Sequence, residues 1–223
     1  MEAMDRIDIG ARRPKNINTA EQERTAYHEV GHLVATYYFH PTHDVFKASI
    51  VARGDTLGVV QHQPKEETFS ESREIYLANI KVALAGYCME KIRYGVTSSG
   101  VISDFRNAMA RAHSMVWSQG MGSNGFIGDY TLIPAAQLSE AMKEKLNAET
   151  QQILSQCEKD VTELLTREHK VVERFVAELL EKKELDYDQI YAIFNEYGEA
   201  KSAPVQIDEH GRAEENTGSQ DAS

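Results

Sequence analysis

Cysteine is scarce in this chain: Cys88 and Cys157 are the only two in 223 residues. Two thiols cannot build a disulfide framework or a cysteine-based zinc knuckle, so a reducing compartment is expected. Basic charge is in deficit, with 24 Lys and Arg against 35 Asp and Glu and a formal net charge of −11. A nucleic-acid partner would call for a basic stripe and anionic lipid would repel this balance, so neither is expected. No apolar run approaches the roughly 20 residues that span a bilayer, and the stretch from Met1 to Gly10 lacks a signal-peptide core. The chain as it stands is expected to be soluble. A phosphate-cradling G-x-x-x-x-G-K-[ST] loop is also missing, which excludes ATP binding of that type by these residues. What is present suffices for a core: 41% of residues are hydrophobic and 26% charged, so wholesale disorder is excluded.

Residues 1–18 read as a linker, with Arg12-Arg13-Pro14-Lys15 as its loop-like part, and residues 19–198 as the folded domain. From Glu199 to Ser223 the chain holds six acidic and two basic residues and little large apolar side chain, which predicts a disordered acidic tail. Between these ends most segments carry helical periodicity. Thr19 with Gln22 forms a capping-box pattern that opens a helix reaching about Phe39, where Pro41 stops it. Residues 45–52 and 57–61 are β-rich, and Arg53-Gly54-Asp55-Thr56 between them predicts a small hairpin or ribbon. A second helix is expected from about Ser70 to Tyr94 before Gly95, and a third from near Asp104 to about Gln119 before Gly120. Two or three more fill 136–197, the last starting at Asp186 or Asp188, with Val161, Leu164, Leu165, Val172, Phe175, Val176 and Leu179 as apolar stripes. The predicted class is mainly α with a small β ribbon.

Chemistry concentrates in His28-Glu29-Val30-Gly31-His32. On a helix, positions 28 and 32 lie one turn apart on one face, so both imidazoles can reach one ion. Neutral imidazole suits Zn²⁺ and leaves Glu29 as a general base for an attacking water. The five-residue pattern arises by chance in roughly 3% of such compositions, so it does not stand alone. Val30, Leu33, Val34 and Tyr37 form the apolar stripe of the same helix, and the two histidines fall on the opposite side. That placement disfavours core histidines and leaves solvated surface histidines as the competing reading. Against the latter, Gly31 costs about 1 kcal/mol relative to Ala in a helix interior, which a plain surface helix has no reason to accept. A catalytic zinc needs a third protein ligand and an open position. His40, His43, Asp44, His62, Glu90, Asp104 and His113 are all candidates, and spacing does not choose among them.

Thr25-Ala26-Tyr27-His28-Glu29-Val30-Gly31-His32 resembles the T-A-Y-H-E-A-G-H stretch of the FtsH-type AAA+ membrane metalloproteases. Further motifs follow in the same order. Ile50-Val51-Ala52-Arg53-Gly54 with Leu57-Gly58 resembles that family's I-I-P-R-G…L-G ribbon, and Ala85-Gly86, Glu90 and Tyr94-Gly95 its G-G-R-x-A-E-E…G helix end. Ser98 to Asp104 resembles S-T-G-A-x-N-D, and Met115-Val116 with Gly120-Met121 resembles M-V-x-x-x-G-M/F. Glu149-Thr150 and Leu179 to Asp186 resemble the closing helices of the peptidase domain. Departures occur at Ala52, Tyr87, Ile102 and Ser103, where the family usually has proline, arginine, a smaller residue and an amide.

The resemblance implies a helical zincin-type metallopeptidase domain. It implies zinc ligands at His28, His32 and Asp104, a catalytic base at Glu29, and Glu90 as a residue that holds a ligand from behind. Read alone, Asp104 is more commonly an N-cap of the helix starting there, and Glu90 an exposed helix residue. However, Glu90 continues the face of Ile80, Ala83 and Tyr87, where a buried carboxylate needs a partner such as a histidine ring N–H. Glu2 to Arg6 looks like the end of an AAA+ lid, so an ATPase and membrane anchor are expected upstream, with ATP used only there. Also implied are unfolded or membrane-protein substrates, a homohexamer, and a domain facing the cytoplasm or an organelle interior. A non-proteolytic scaffold attached to an AAA+ ring and a stand-alone zinc peptidase remain as alternatives.

Overall fold

A computed structural model describes residues 18–52, 57–64 and 70–199. The expected linker, the hairpin turn at 53–56 and the acidic tail beyond 199 lie outside the described residues. The elements run α1 (Thr19–Phe39), β1 (His43–Ser49), β2 (Val59–Pro64), α2 (Arg73–Tyr94), α3 (Ile102–Trp117), α4 (Glu140–Arg167), α5 (His169–Lys182), β3 (Glu184–Asp186) and α6 (Tyr187–Tyr197). The mainly-α class with a small β element holds, and no helix among the described residues is long and apolar enough to cross a membrane.

Local signals set most boundaries. Helix α1 is capped by Asn18, whose side chain accepts from the Glu21 amide at 2.8 Å, so the cap sits one residue before the Thr19 box expected from sequence. Helix α2 starts on a Ser72 cap and stops at Gly95 in the left-handed conformation, as its glycine predicts. Asp186 caps α6 with a full capping box through Gln189. Helix α3 opens after a 3₁₀ turn at Ser99–Val101 and has no side-chain cap. Asp104 therefore lies inside its first turn and does not cap it.

Strands β1 and β2 pair antiparallel, with Val45 opposite His62 and Ser49 opposite Val59. Strand β1 begins at His43, before the β-rich stretch, and ends earlier than that stretch suggests because the Ser49 hydroxyl takes the Val51 amide and the Ile50 amide turns to Lys183. Strand β3 adds to the other side of β1, giving the order β2-β1-β3. Three residues with Leu185 between two carboxylates carry no strand signal of their own. They pair because Lys183, at φ 68°, reverses the chain after α5, with its ammonium bonded to the Leu180 carbonyl and the Gln22 side chain.

Helix α1 packs against α2, α5 and the sheet, so it runs through the middle of the molecule. Its stripe of Val30, Leu33 and Val34 is fully buried and joins a core that includes Ile80, Met115, Leu146, Leu165, Phe175 and Ile190. Tyr37 completes the stripe by stacking on Phe194 at 3.6 Å. Gly31 now has its reason: a Cβ there would lie 2.6 Å from the Ala85 carbonyl oxygen on α2. The close α1–α2 crossing needs a bare backbone at that point.

Candidate metal centre

Each helix of the central layer contributes to one cleft of about 710 Å³. Helix α1 supplies His28, Glu29 and His32, α2 supplies Glu90, and α3 supplies Asp104. Leu57 to Val60 line the opposing wall. His28 Nε2 lies 3.1 Å from His32 Nε2 and 3.1 Å from Asp104 Oδ2, and His32 Nε2 lies 3.5 Å from that same oxygen. These atoms form the only cluster of three or more potential metal donors among the described residues.

The other ring nitrogens are already committed. His28 Nδ1 donates to Glu90 Oε1 at 2.9 Å, and His32 Nδ1 donates to the Val82 carbonyl at 2.8 Å. Each ring is thereby locked with Nε2 facing the cluster. The Val82 contact was invisible in the sequence, since any residue presents a carbonyl. Gly86 cradles the other ring, because a Cβ there would strike His28 at 2.5 to 2.7 Å.

Glu90 is 1% exposed and fully engaged. Its Oε2 accepts from Arg24 at 3.1 Å and the Ser98 amide at 2.7 Å, and its Oε1 from the Ser98 hydroxyl at 3.1 Å. Burial raises the Glu90 pKa, and the hydrogen bonds from His28 and Ser98 outweigh that and lower it. The exposed-helix reading of Glu90 is thus excluded. The Arg24 guanidinium also lies over the Tyr94 ring at 4.5 Å, which fixes it between the cleft and α2.

The electrostatics are those of a cation site. Burial pushes the His28 imidazolium down, yet Asp104 and Glu90 prevail and raise its pKa to about 10. Burial likewise favours the neutral Asp104 carboxyl, but the close His28 and His32 rings hold it well below the usual range. Asp104 Oδ2 is nonetheless buried without a well-aligned hydrogen bond, despite its short distances to both rings. Three potential donors thus face one small volume, and the hydrogen bond of regular geometry among them runs between the two Nε2 atoms. A tetrahedral zinc with bonds of about 2.1 Å separates its ligands by about 3.4 Å, close to the observed spacings. Two imidazoles and one carboxylate are also a donor set that zinc accepts.

Glu29 points away from the core stripe, against Gly58 on the facing wall. Its burial pushes the carboxyl pKa up, and the nearby histidines only partly offset this. The remaining sequence candidates do not join the cluster. His113 stacks on Trp117, Asp44 accepts from Tyr191, and His40, His43 and His62 gather beside the ribbon.

The model of peptidase family M41 matches residues 15–193. The chain belongs to peptidase family M41. It is 31% identical over 198 residues to the ATP-dependent zinc metalloprotease FtsH of Borreliella burgdorferi (strain ZS7), covering 82% of this chain and 31% of that protein. It is 32% identical over 196 residues to FtsH 1 of Rhodopirellula baltica, covering 82% and 29%. A third relative, FtsH of Rickettsia conorii, is 32% identical over 200 residues, covering 85% and 31%. The M41 chain thus spans about a third of the length of the curated relatives it matches. The expected FtsH-type resemblance and the metallopeptidase class both hold at the level of the family.

Proposed function

We propose that this chain is a zinc-dependent endopeptidase domain in which His28, His32 and Asp104 hold the metal and Glu29 is the catalytic base. The observation that carries this is the convergence of His28 Nε2, His32 Nε2 and Asp104 Oδ2 within 4.8 Å of one another, beside a buried carboxylate. A bound zinc would supply Lewis acidity, making water easier to deprotonate and the scissile carbonyl more electrophilic. Glu29, with its raised pKa, accepts a proton from the attacking water as the oxygen bonds to the carbonyl carbon. When the C–N bond breaks, the same carboxyl returns that proton to the departing amine. No covalent acyl-enzyme is required.

Glu90 keeps His28 Nδ1 protonated, so Nε2 stays available as a donor. Strand β2 has a neighbour on one side only among the described residues, and Val59, Val60 and His62 line the cleft. A substrate in extended form can add to that edge through main-chain bonds, which favours unfolded polypeptide and low sequence selectivity. The FtsH-type resemblance adds to this reading that such polypeptide is fed by an AAA+ ring, within a homohexamer anchored to a membrane.

Glu29→Gln is expected to retain one equivalent of zinc and lose hydrolysis of unfolded casein. His28→Ala and Asp104→Ala are each expected to reduce zinc stoichiometry, since each removes a donor. Casein turnover by Glu29→Gln at unchanged metal content would falsify the base assignment. Cleavage of short peptides but not casein would instead point to a stand-alone peptidase.

A further inference from the structure

A second group of histidines lies beside the ribbon, apart from His28 and His32. His43 opens β1, and His62 sits on β2 opposite Val45, one diagonal step away. Their Nδ1 atoms face each other at 2.6 Å, with the rings 4.7 Å apart and tilted by 31°. Two ring nitrogens that close repel through their lone pairs unless a proton or a cation lies between them. His40, buried at the end of α1, stacks on His43 at 3.7 Å and 20°, which fixes the plane of the His43 ring from behind. One donor of the pair is therefore held rigidly, while His62 is exposed and can adjust.

We infer that His43 and His62 form a second, weaker binding site for a borderline divalent cation such as Zn²⁺, separate from His28, His32 and Asp104. Imidazole pairs favour zinc, copper and nickel over calcium or magnesium, which prefer oxygen. Opening the pair to the roughly 3.4 Å that a tetrahedral ion needs takes a ring shift of under about 1 Å. Partial desolvation lowers both imidazoles, with His43 and His32 helping to bring His62 down to about 4, so neither ring is cationic at neutral pH and the one proton between them can move to an outer Nε2. Water fills the remaining positions on the exposed side, and a site with two protein donors is weaker than one with three.

Because His62 also lines the cleft, an ion there would stand beside the β2 edge and impede substrate entry. That consequence rests on the peptidase reading, whereas the binding does not.

Calorimetric titration of tag-free protein with Zn²⁺ tests both. The expected result is one tight equivalent followed by a second, weaker one. The second is lost in His43→Gln and in His62→Gln, with the first and the circular dichroism unchanged. His28→Ala shows the converse, losing the tight equivalent and keeping the weak one. Should His43→Gln fail to fold, His62→Gln at its exposed position carries the test alone. A single equivalent in the unaltered protein, or a second one that survives both substitutions, overturns the site. Excess zinc that inhibits casein hydrolysis in the unaltered protein but not in His43→Gln, whose side chain does not line the cleft, supports the cleft consequence, and inhibition unchanged by that substitution overturns it.

Discussion

At the scale of single residues, the cluster depends on side chains that never touch the metal position. Gly86 leaves room for the His28 ring, and a methyl group there would meet it at 2.5 to 2.7 Å. Gly86→Ala is therefore expected to lower zinc affinity about 10- to 100-fold with the helix content intact, as is Glu90→Gln, which weakens the hold on His28 Nδ1. Competition with a fluorescent chelator reads both. The proton balance gives a further expectation. In the metal-free protein His28 is raised to about 10, burial being outweighed by Asp104 and Glu90. That raised value stabilises the metal-free fold fully below the ordinary pKa of about 6.5, and the contribution fades as pH rises towards 10. Zinc must displace this proton, so its affinity rises with pH over that window. Calorimetry near pH 7 in buffers of different ionisation enthalpy is expected to show release of about one proton. His28, Glu29 and His32 were legible because a helical turn alone sets their relation. The Val82 carbonyl was not, since its role comes from a neighbouring helix.

At the scale of elements, the α1–α2 crossing decides how His28 meets Glu90. Gly31→Ala sets two effects against each other. Helix propensity gains about 1 kcal/mol, but the new Cβ would lie 2.6 Å from a backbone oxygen, and such overpacking costs about 1–3 kcal/mol. Since backbone cannot rotate away as a side chain can, the net expectation is destabilisation of about 1 kcal/mol, read as a lower urea midpoint. Most helix ends could be read from caps and glycines, because those signals act within a few residues. The start of α1 was misplaced by one position because Asn18 and Thr19 are both capable caps and only Asn18 makes the bond. Strand β3 could not be read at all, since three residues gain strand geometry only from pairing with Lys47 to Ser49.

For the whole molecule, the proposed metal donors come from α1 and α3, which are separated in sequence by the entire ribbon and α2. An ion held there ties these elements together, and anything that binds only the folded state stabilises it. Chelation is expected to lower the thermal midpoint by several degrees and leave the far-ultraviolet circular dichroism at 25 °C unchanged. The fold persists because its core, from Leu33 to Ile190, does not involve the cluster. Loss of helix on chelation at that temperature would show that the metal is needed to fold the chain. The amino-acid sequence by itself determined the mainly-α class, the paired imidazoles with their adjacent carboxylate, and most helix limits, since each follows from spacing along one chain segment. Spacing left the third donor open and resemblance alone pointed to Asp104 and Glu90, whereas the tertiary structure brings Asp104 to those imidazoles, buries Glu90 behind one of them and forms β3. Those facts depend on how distant segments pack, and no local periodicity encodes the distance between two helices.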